Sequence, residues 1–251
     1  RLCRDWSSDV CSSDLNAIKT YMGHEAGAKI LGVHLEGPFI SKNAYGAQNP
    51  VYIQNPNWEL IQSHRDLIKI ITYAPEHDEA FQFTKALAAN HIIPSIGHTC
   101  CSYDVACGAI MHGAKGFTHL FNAMTGLHHR NPGAVGAAFT TDAYVELIAD
   151  GIHVHPHLFS VVEKIKSAER MLLVTDAMRA ACLKEGTFDL GGQDVTVKDG
   201  VASLADGTLA GSVLNQMMAV KNMTTNTVLD LSNIIKMVTL TPATYLGVRS
   251  E

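Results

Sequence analysis

The chain has 251 residues, 47% hydrophobic and 17% charged, with 19 Lys and Arg against 24 Asp and Glu for a formal charge of −5. That composition can bury a large core in one or two domains, and it argues against a general nucleic-acid or membrane-surface binder, which needs basic patches. No apolar run reaches the length of a membrane span, and nothing resembles a signal peptide. The six cysteines (Cys3, Cys11, Cys100, Cys101, Cys107 and Cys182) form no spaced disulfide framework, so the expected setting is reducing and cytoplasmic.

Residues 1–15, RLCRDWSSDVCSSDL, show no helical or strand periodicity and resemble translated sequencing-adapter sequence. They are read as a non-native leader, leaving 16–251 as one partial domain. Six short apolar runs follow, at 30–36, 68–74, 92–97, 116–120, 145–150 and 171–175, each trailed by turn residues and helix-like sequence. The helices expected between them cover 78–90, 102–112 and 157–166; Val105, Ala109 and Ile110 have roughly helical spacing, and Gly113 is a natural stop. Strands alternating with helices imply a parallel sheet, and nearly continuous apolar strands imply that both faces are covered.

A barrel and a doubly wound sheet both fit that pattern. The polar residues at the run ends choose between them. Glu36 ends the first run, His98 the third, His119 the fourth and Asp176 the sixth, while His153 lies just past the fifth. One reactive group from each of several strands, all on the carboxyl-end face, is the habit of a (β/α)8 barrel. The expectation is therefore an incomplete α/β barrel of about six strands, its first two lying upstream. The Gly- and Asp-rich stretch 186–211 reads as a small β-hairpin insertion. Two helices are expected after it, at 213–225 and 231–246, with Pro242 marking a kink or a junction. The Met pair Met217-Met218 and the cysteines read as core packing.

Glu36, His98 and His119 form a plausible set for a borderline divalent ion, with a position left open for water. Taken singly, each histidine reads first as a hydrogen-bonded structural residue; their shared position is the argument for a site. Asp176 in LLVTDAM is the candidate general base and acid, although Asp also favours helix N-caps. Asn122 and Ala123 in THLFNAM offer an amide and a backbone N–H for ligand oxygens. GLHHRNPG places His128, His129 and Arg130 in a Gly/Pro-bounded loop, which reads either as a solvated basic loop or as a phosphate site on Arg130. His153 in ADGIHVHP is a further ligand candidate, His155 is left structural or exposed, and His34 receives no role. DGTLAGS is small enough to bring backbone close to a ligand.

Taken together, GVHLEGPFI, SIGHT, GFTHLFNAM, HHRNPGAVG, LIADGIHVHP, LLVTDAM and DGTLAGS occur in an order that resembles the N-acetylglucosamine-6-phosphate deacetylases of the metal-dependent amidohydrolase superfamily. The resemblance runs from about Asn16 to Glu251. It implies a divalent metal of the Zn, Fe, Co or Mn type, one or two per subunit, on Glu36, His98 and His119, with Asp176 as catalytic acid and base. It also implies substrate contacts at Ala47, Asn122, Ala123, Arg130, His153, Leu209, Ala210 and Gly211, with Arg130 on the phosphate. The implied reaction is hydrolysis of the acetamido group of N-acetyl-D-glucosamine 6-phosphate in amino-sugar catabolism or cell-wall recycling, by a cytoplasmic homodimer. Gln48 stands where some relatives carry a histidine, and the HxH motif that could hold a second metal lies upstream of this sequence. Two rival readings stay open. One is a dihydroorotase-like or deaminase-like amidohydrolase acting on a ring amide or amine. The other is an inactive fragment that only binds metal or sugar phosphate.

Overall fold

The structure is a computed structural model that describes residues 8–249, with side chains from residue 14 onward. Residues 1–7, about half of the stretch set apart as a leader, lie outside it, as does Cys3. All six apolar runs form strands: β1 (Val33–Glu36), β2 (Ile68–Tyr73), β3 (Ile93–Ile96), β4 (Gly116–Phe117), β5 (Tyr144–Leu147) and β6 (Met171–Leu173). Each strand pairs parallel with the next, in the order β1-β2-β3-β4-β5-β6. A doubly wound sheet reverses its strand order part-way; this one never does, and it curls as the half of a barrel.

Among the described residues the helices are α1 (Ser8–Tyr21), α2 (Gln82–Ala89), α3 (Tyr103–Met111), α4 (Gly133–Thr140), α5 (Phe159–Lys166), α6 (Gln216–Asn226), α7 (Leu231–Lys236) and α8 (Leu240–Leu246). Helix α1 crosses residue 15, where no periodicity was expected, and Leu15 is buried with Leu35, Ile68 and Ile71. The α2 helix starts later than its sequence pattern implies. The carboxylate of Asp78 accepts hydrogen bonds from the N–H groups of Phe83 and Thr84, both at 2.8 Å, and left-handed Ala80 and Phe81 form a tight turn before the helix. The single helix expected at 231–246 is two, because the chain turns at 237–239; Pro242 sits in the first turn of α8, where its missing N–H costs nothing. Helix α4, GAVGAAFT, carries no polar face to mark it and was not expected.

Alternation along the strands sorts the side chains into two faces. Leu35, Ile71, Tyr73, Ile96, Phe117, Val145, Leu147, Met171 and Leu173 belong to the large apolar clusters shared with the helices. The intervening residues stack in layers on the opposite face. At the amino ends, Ile70, Ile93, Leu172 and Tyr245 form an apolar floor. Tyr245 comes from α8, and a Cβ on residue 116 would lie 2.3 Å from its Oη, so Gly116 is the strand position that admits the ring. Above the floor lies a polar layer. Thr72 and Thr118 hydroxyls are 2.7 Å apart, as are those of Ser95 and Thr118, and His34 Nε2 lies 2.7 Å from Thr72 Oγ1. His34, left without a role by its sequence, is a member of this layer, with Glu146 3.7 Å from its Nδ1.

The glycine-rich stretch after β6 forms a three-stranded antiparallel sheet, β7 (Gly186–Leu190), β8 (Gln193–Lys198) and β9 (Val201–Ser203). Its two turns, Gly191-Gly192 and Asp199-Gly200, have positive φ at both central residues, the conformation that two-residue hairpins favour. Val195, Val197 and Ala202 pack with Met178, Ala180 and Ala47 as a separate small core. Two expectations are corrected. Met217 is 78% and Met218 43% exposed, so neither is core, and Cys100 and Cys182 are exposed as well. Both methionines fall on the outer side of α6, which buries Ala219 and Met223 instead.

Candidate metal centre and active site

Glu36 is the last residue of β1, His98 lies two residues beyond β3, and His119 lies two beyond β4. All three are buried. Their ligand-type atoms lie within 4.8 Å of one another. His98 Nε2 is 2.8 Å from Glu36 Oε1, His119 Nε2 is 3.0 Å from His98 Nε2, and His119 Nε2 is 3.6 Å from Glu36 Oε1. His98 Nδ1 lies 2.7 Å from the carbonyl of Ala44. A carbonyl only accepts, so Nδ1 carries the proton and Nε2 faces the triad. Two imidazole nitrogens and a carboxylate oxygen converging in this way call for a cation between them. Ligand bonds of 2.0–2.1 Å in a tetrahedron separate neighbouring ligands by about 3.4 Å, close to the spacings found here. The residues fit a divalent ion, and the Ala44 carbonyl supplies the outer hydrogen bond that orients a metal-binding histidine.

The backbone turns out of the strand direction at two of these residues and at Asp176. His98, His119 and Asp176 all have left-handed φ, of 49°, 33° and 50°. Such conformations cost non-glycine residues about 1–3 kcal/mol each and persist only where surrounding contacts over-determine them. For Asp176 those contacts come from beyond the small sheet. Ser212 donates its N–H to the Asp176 carbonyl at 2.7 Å, and the Ser212 hydroxyl donates to the carbonyl of Thr175.

The loop after β1 folds over the triad. Gly46, at φ +59°, would place a Cβ 3.2 Å from the His98 ring, so a glycine permits the close approach. Gln48 turns back and donates its Nε2 at 3.4 Å to both the carbonyl and Oε1 of Glu36. From the far side, Gln193 of β8 donates its Nε2 to the Ala47 carbonyl at 2.7 Å, fastening the small sheet to this loop.

Together these elements enclose an open cavity of about 440 Å³ with the triad at its base. Asp176 lines it, as do Ala47, Asn122, Ala123, His153, Leu209 and Gly211. Two of the substrate candidates do not. Ala210 is fully buried in the small core, its N–H donated to Ala202, so the 209–211 stretch reaches the cavity through its two outer residues. Arg130 is exposed on its loop, with Nη1 2.7 Å from His129 Nε2, and is not among the lining residues. Asn43, Ala44, Tyr45 and Thr208 also line the wall; of these four, only Thr208, inside DGTLAGS, carries a local signal in the sequence. Cys101, three residues beyond His98, is not among the lining residues, and burial pushes its thiol up to about 12.

No family model matches the chain. It is 41% identical over 227 residues, 88% of its length, to the N-acetylglucosamine-6-phosphate deacetylase of Bacillus subtilis (strain 168). The solved structure of N-acetylglucosamine-6-phosphate deacetylase from Thermotoga maritima superposes with a TM-score of 0.91 at 36% identity, covering 97% of this chain and 67% of that one. The chain belongs to the N-acetylglucosamine-6-phosphate deacetylase family. A D267A mutant of the Mycobacterium smegmatis deacetylase, solved with N-acetyl-D-glucosamine-6-phosphate, matches this deacetylase-family chain at a TM-score of 0.87 and 30% identity. The chain spans 57% of the length of the Bacillus subtilis relative and 64% of the Mycobacterium smegmatis structure.

Proposed function

We propose that the whole protein hydrolyses the acetamido group of N-acetyl-D-glucosamine 6-phosphate, giving D-glucosamine 6-phosphate and acetate. The observation that carries this reading is the convergence of Glu36, His98, His119 and Asp176 on one cavity from four separate strand ends. Glu36, His98 and His119 would hold a divalent cation, in a barrel completed to eight strands. The chemistry such an ion supplies is acidification of a water and neutralisation of charge on the amide oxygen. Asp176 accepts a proton from the attacking water as its oxygen bonds to the acetyl carbon. The same carboxyl then returns a proton to the amide nitrogen as the C–N bond breaks, so the amine leaves neutral and the balance closes.

The wall residues orient the sugar. Asn122 and Ala123 offer polar groups next to His119 in the chain, His153 comes from beyond β5, and Leu209 and Gly211 line the same cavity. Arg130 is assigned to the phosphate on the family resemblance and on its planar fork of donors. In the homodimer implied by the same resemblance, the neighbouring subunit completes the phosphate site. A cytoplasmic location is assigned on the same resemblance; among the described residues no helix is long and apolar enough to cross a membrane.

The test is acetate release by the metal-loaded whole protein, measured on the 6-phosphorylated sugar and on N-acetylglucosamine without phosphate. Turnover on the phosphorylated sugar, with kcat/KM at least about a hundredfold lower without phosphate, is the expected result for charge-assisted contacts to the phosphate. No acetate from either, or equal rates on both, overturns the reading.

A further inference from the structure

His153 is held by a carboxylate that lines no part of the cavity. Asp150, just past β5, uses both of its oxygens on the same short turn. Its Oδ1 accepts the backbone N–H groups of Ile152 and His153, each at 2.8 Å, and its Oδ2 lies 2.6 Å from His153 Nδ1. The two side chains are 9% and 7% exposed. Burial alone would raise the Asp150 pKa, but the hydrogen bond from His153 and those from the two backbone N–H groups outweigh it and hold the carboxyl below its ordinary value. An ionised carboxylate only accepts, so His153 Nδ1 must be the donor. The ring nitrogen left over is Nε2, and His153 lines the cavity beside Asn122 and Asp176.

We propose that Asp150 is a positioning residue: it fixes His153 in the Nδ1–H form, so that Nε2 presents its lone pair to a hydroxyl of the bound sugar phosphate. The ligand class rests on the proposed function, whereas the tautomer does not. The geometry makes Asp150→Asn a sharp probe. The two backbone N–H groups require an acceptor, so the asparagine carbonyl takes the Oδ1 position. Its NH2 then faces His153 Nδ1, which must become an acceptor, and the proton moves to Nε2. The turn is kept while the tautomer is inverted.

The experiment has two arms. In imidazole-labelled protein, long-range 15N–1H spectra should show His153 protonated at Nδ1 in the wild type and at Nε2 in Asp150→Asn. In the metal-loaded whole protein, Asp150→Asn should raise KM for the phosphorylated sugar about tenfold, with kcat within about threefold, as expected for one misdirected buried hydrogen bond. In a His153→Ala background the same substitution should change KM less than about twofold, because Asp150 then has nothing to position. A wild-type ring protonated only at Nε2 overturns the proposal, even if the Asn variant fails to fold. So does a KM effect of equal size with and without His153. If the protein releases no acetate, the functional reading falls, and the spectra of the wild type still decide the role of Asp150.

Discussion

At the scale of single residues, the site depends on a few backbone positions that the chain holds against their preference. Asp176 is left-handed, and its main chain is held through Ser212, so the point from which its side chain leaves the backbone is set by that contact. Asp176→Asn keeps the size of the side chain and the N–H and carbonyl of residue 176, and it leaves Glu36, His98 and His119 untouched. It removes only the capacity to take and return a proton. We expect that variant of the whole protein to bind metal with wild-type stoichiometry and to lose about 10²–10⁴ in kcat, the range for general acid–base groups. Metal analysis beside acetate release checks this; near-normal turnover would remove Asp176 from the chemistry. The four residues at the heart of the site were legible because an apolar run ending in Glu, His or Asp is visible in a string of letters. Asp150 and Ala44 were not. Asp150 sits in the quoted ADGIHVHP, yet nothing in a sequence says which of two neighbouring polar groups faces the ligand. A backbone carbonyl such as that of Ala44 leaves no trace at all.

Elements were legible where burial is one-sided. The six strands and α3 came through within a few residues, because apolar length and a Ser102 cap mark them. Helix α4 did not, since six of its eight residues are buried small or apolar side chains without a polar face to give it a period. What ends α4 is a lysine from the next helix. Lys166 of α5 donates its ammonium to the carbonyls of Ala138 at 2.9 Å and Thr141 at 2.7 Å. Burial pushes its pKa down to about 8; Asp142 pulls it upward, and Arg170 adds to the fall. The sign follows directly. Between about pH 8 and the unfolded value near 10.4, the unfolded chain binds more protons than the folded one, so stability rises with pH across that window. Below pH 8 both states are protonated and this contribution is flat. Lys166→Met removes the titration, so the unfolding free energy of the wild type relative to that variant should climb from pH 8 to 10 and stay constant from 6.5 to 7.5. Urea unfolding at each pH measures it, and a difference that falls above pH 8 would contradict a buried ammonium.

Across the whole molecule, the site is where separate parts of the chain are tied together. β1, β3 and β4 supply the three candidate ligands, the loop after β1 covers them, and the small sheet grips that loop through Gln193 and Ala47, 146 residues apart. The strand order followed from the polar residues at the run ends and the hairpin sheet from its turn chemistry, but this long-range clasp did not, because glutamine at 193 is an unremarkable strand residue until the loop is laid against it. An ion bound by Glu36, His98 and His119 would cross-link the loop-covered end of the sheet and should therefore stabilise the fold as a unit. Ligand binding to the native state alone contributes RT ln(1 + [L]/Kd), about 2.7 kcal/mol at a hundredfold excess over Kd. For a chain of this size that corresponds to a rise in Tm of about 5–10 °C. We expect Zn2+ to produce such a shift in the metal-free protein, a chelator to reverse it, and Glu36→Gln or His119→Ala to reduce it to less than about 2 °C. Calorimetry on the wild type and both variants separates this from non-specific binding, which would raise all three alike and would place the ion somewhere other than the triad.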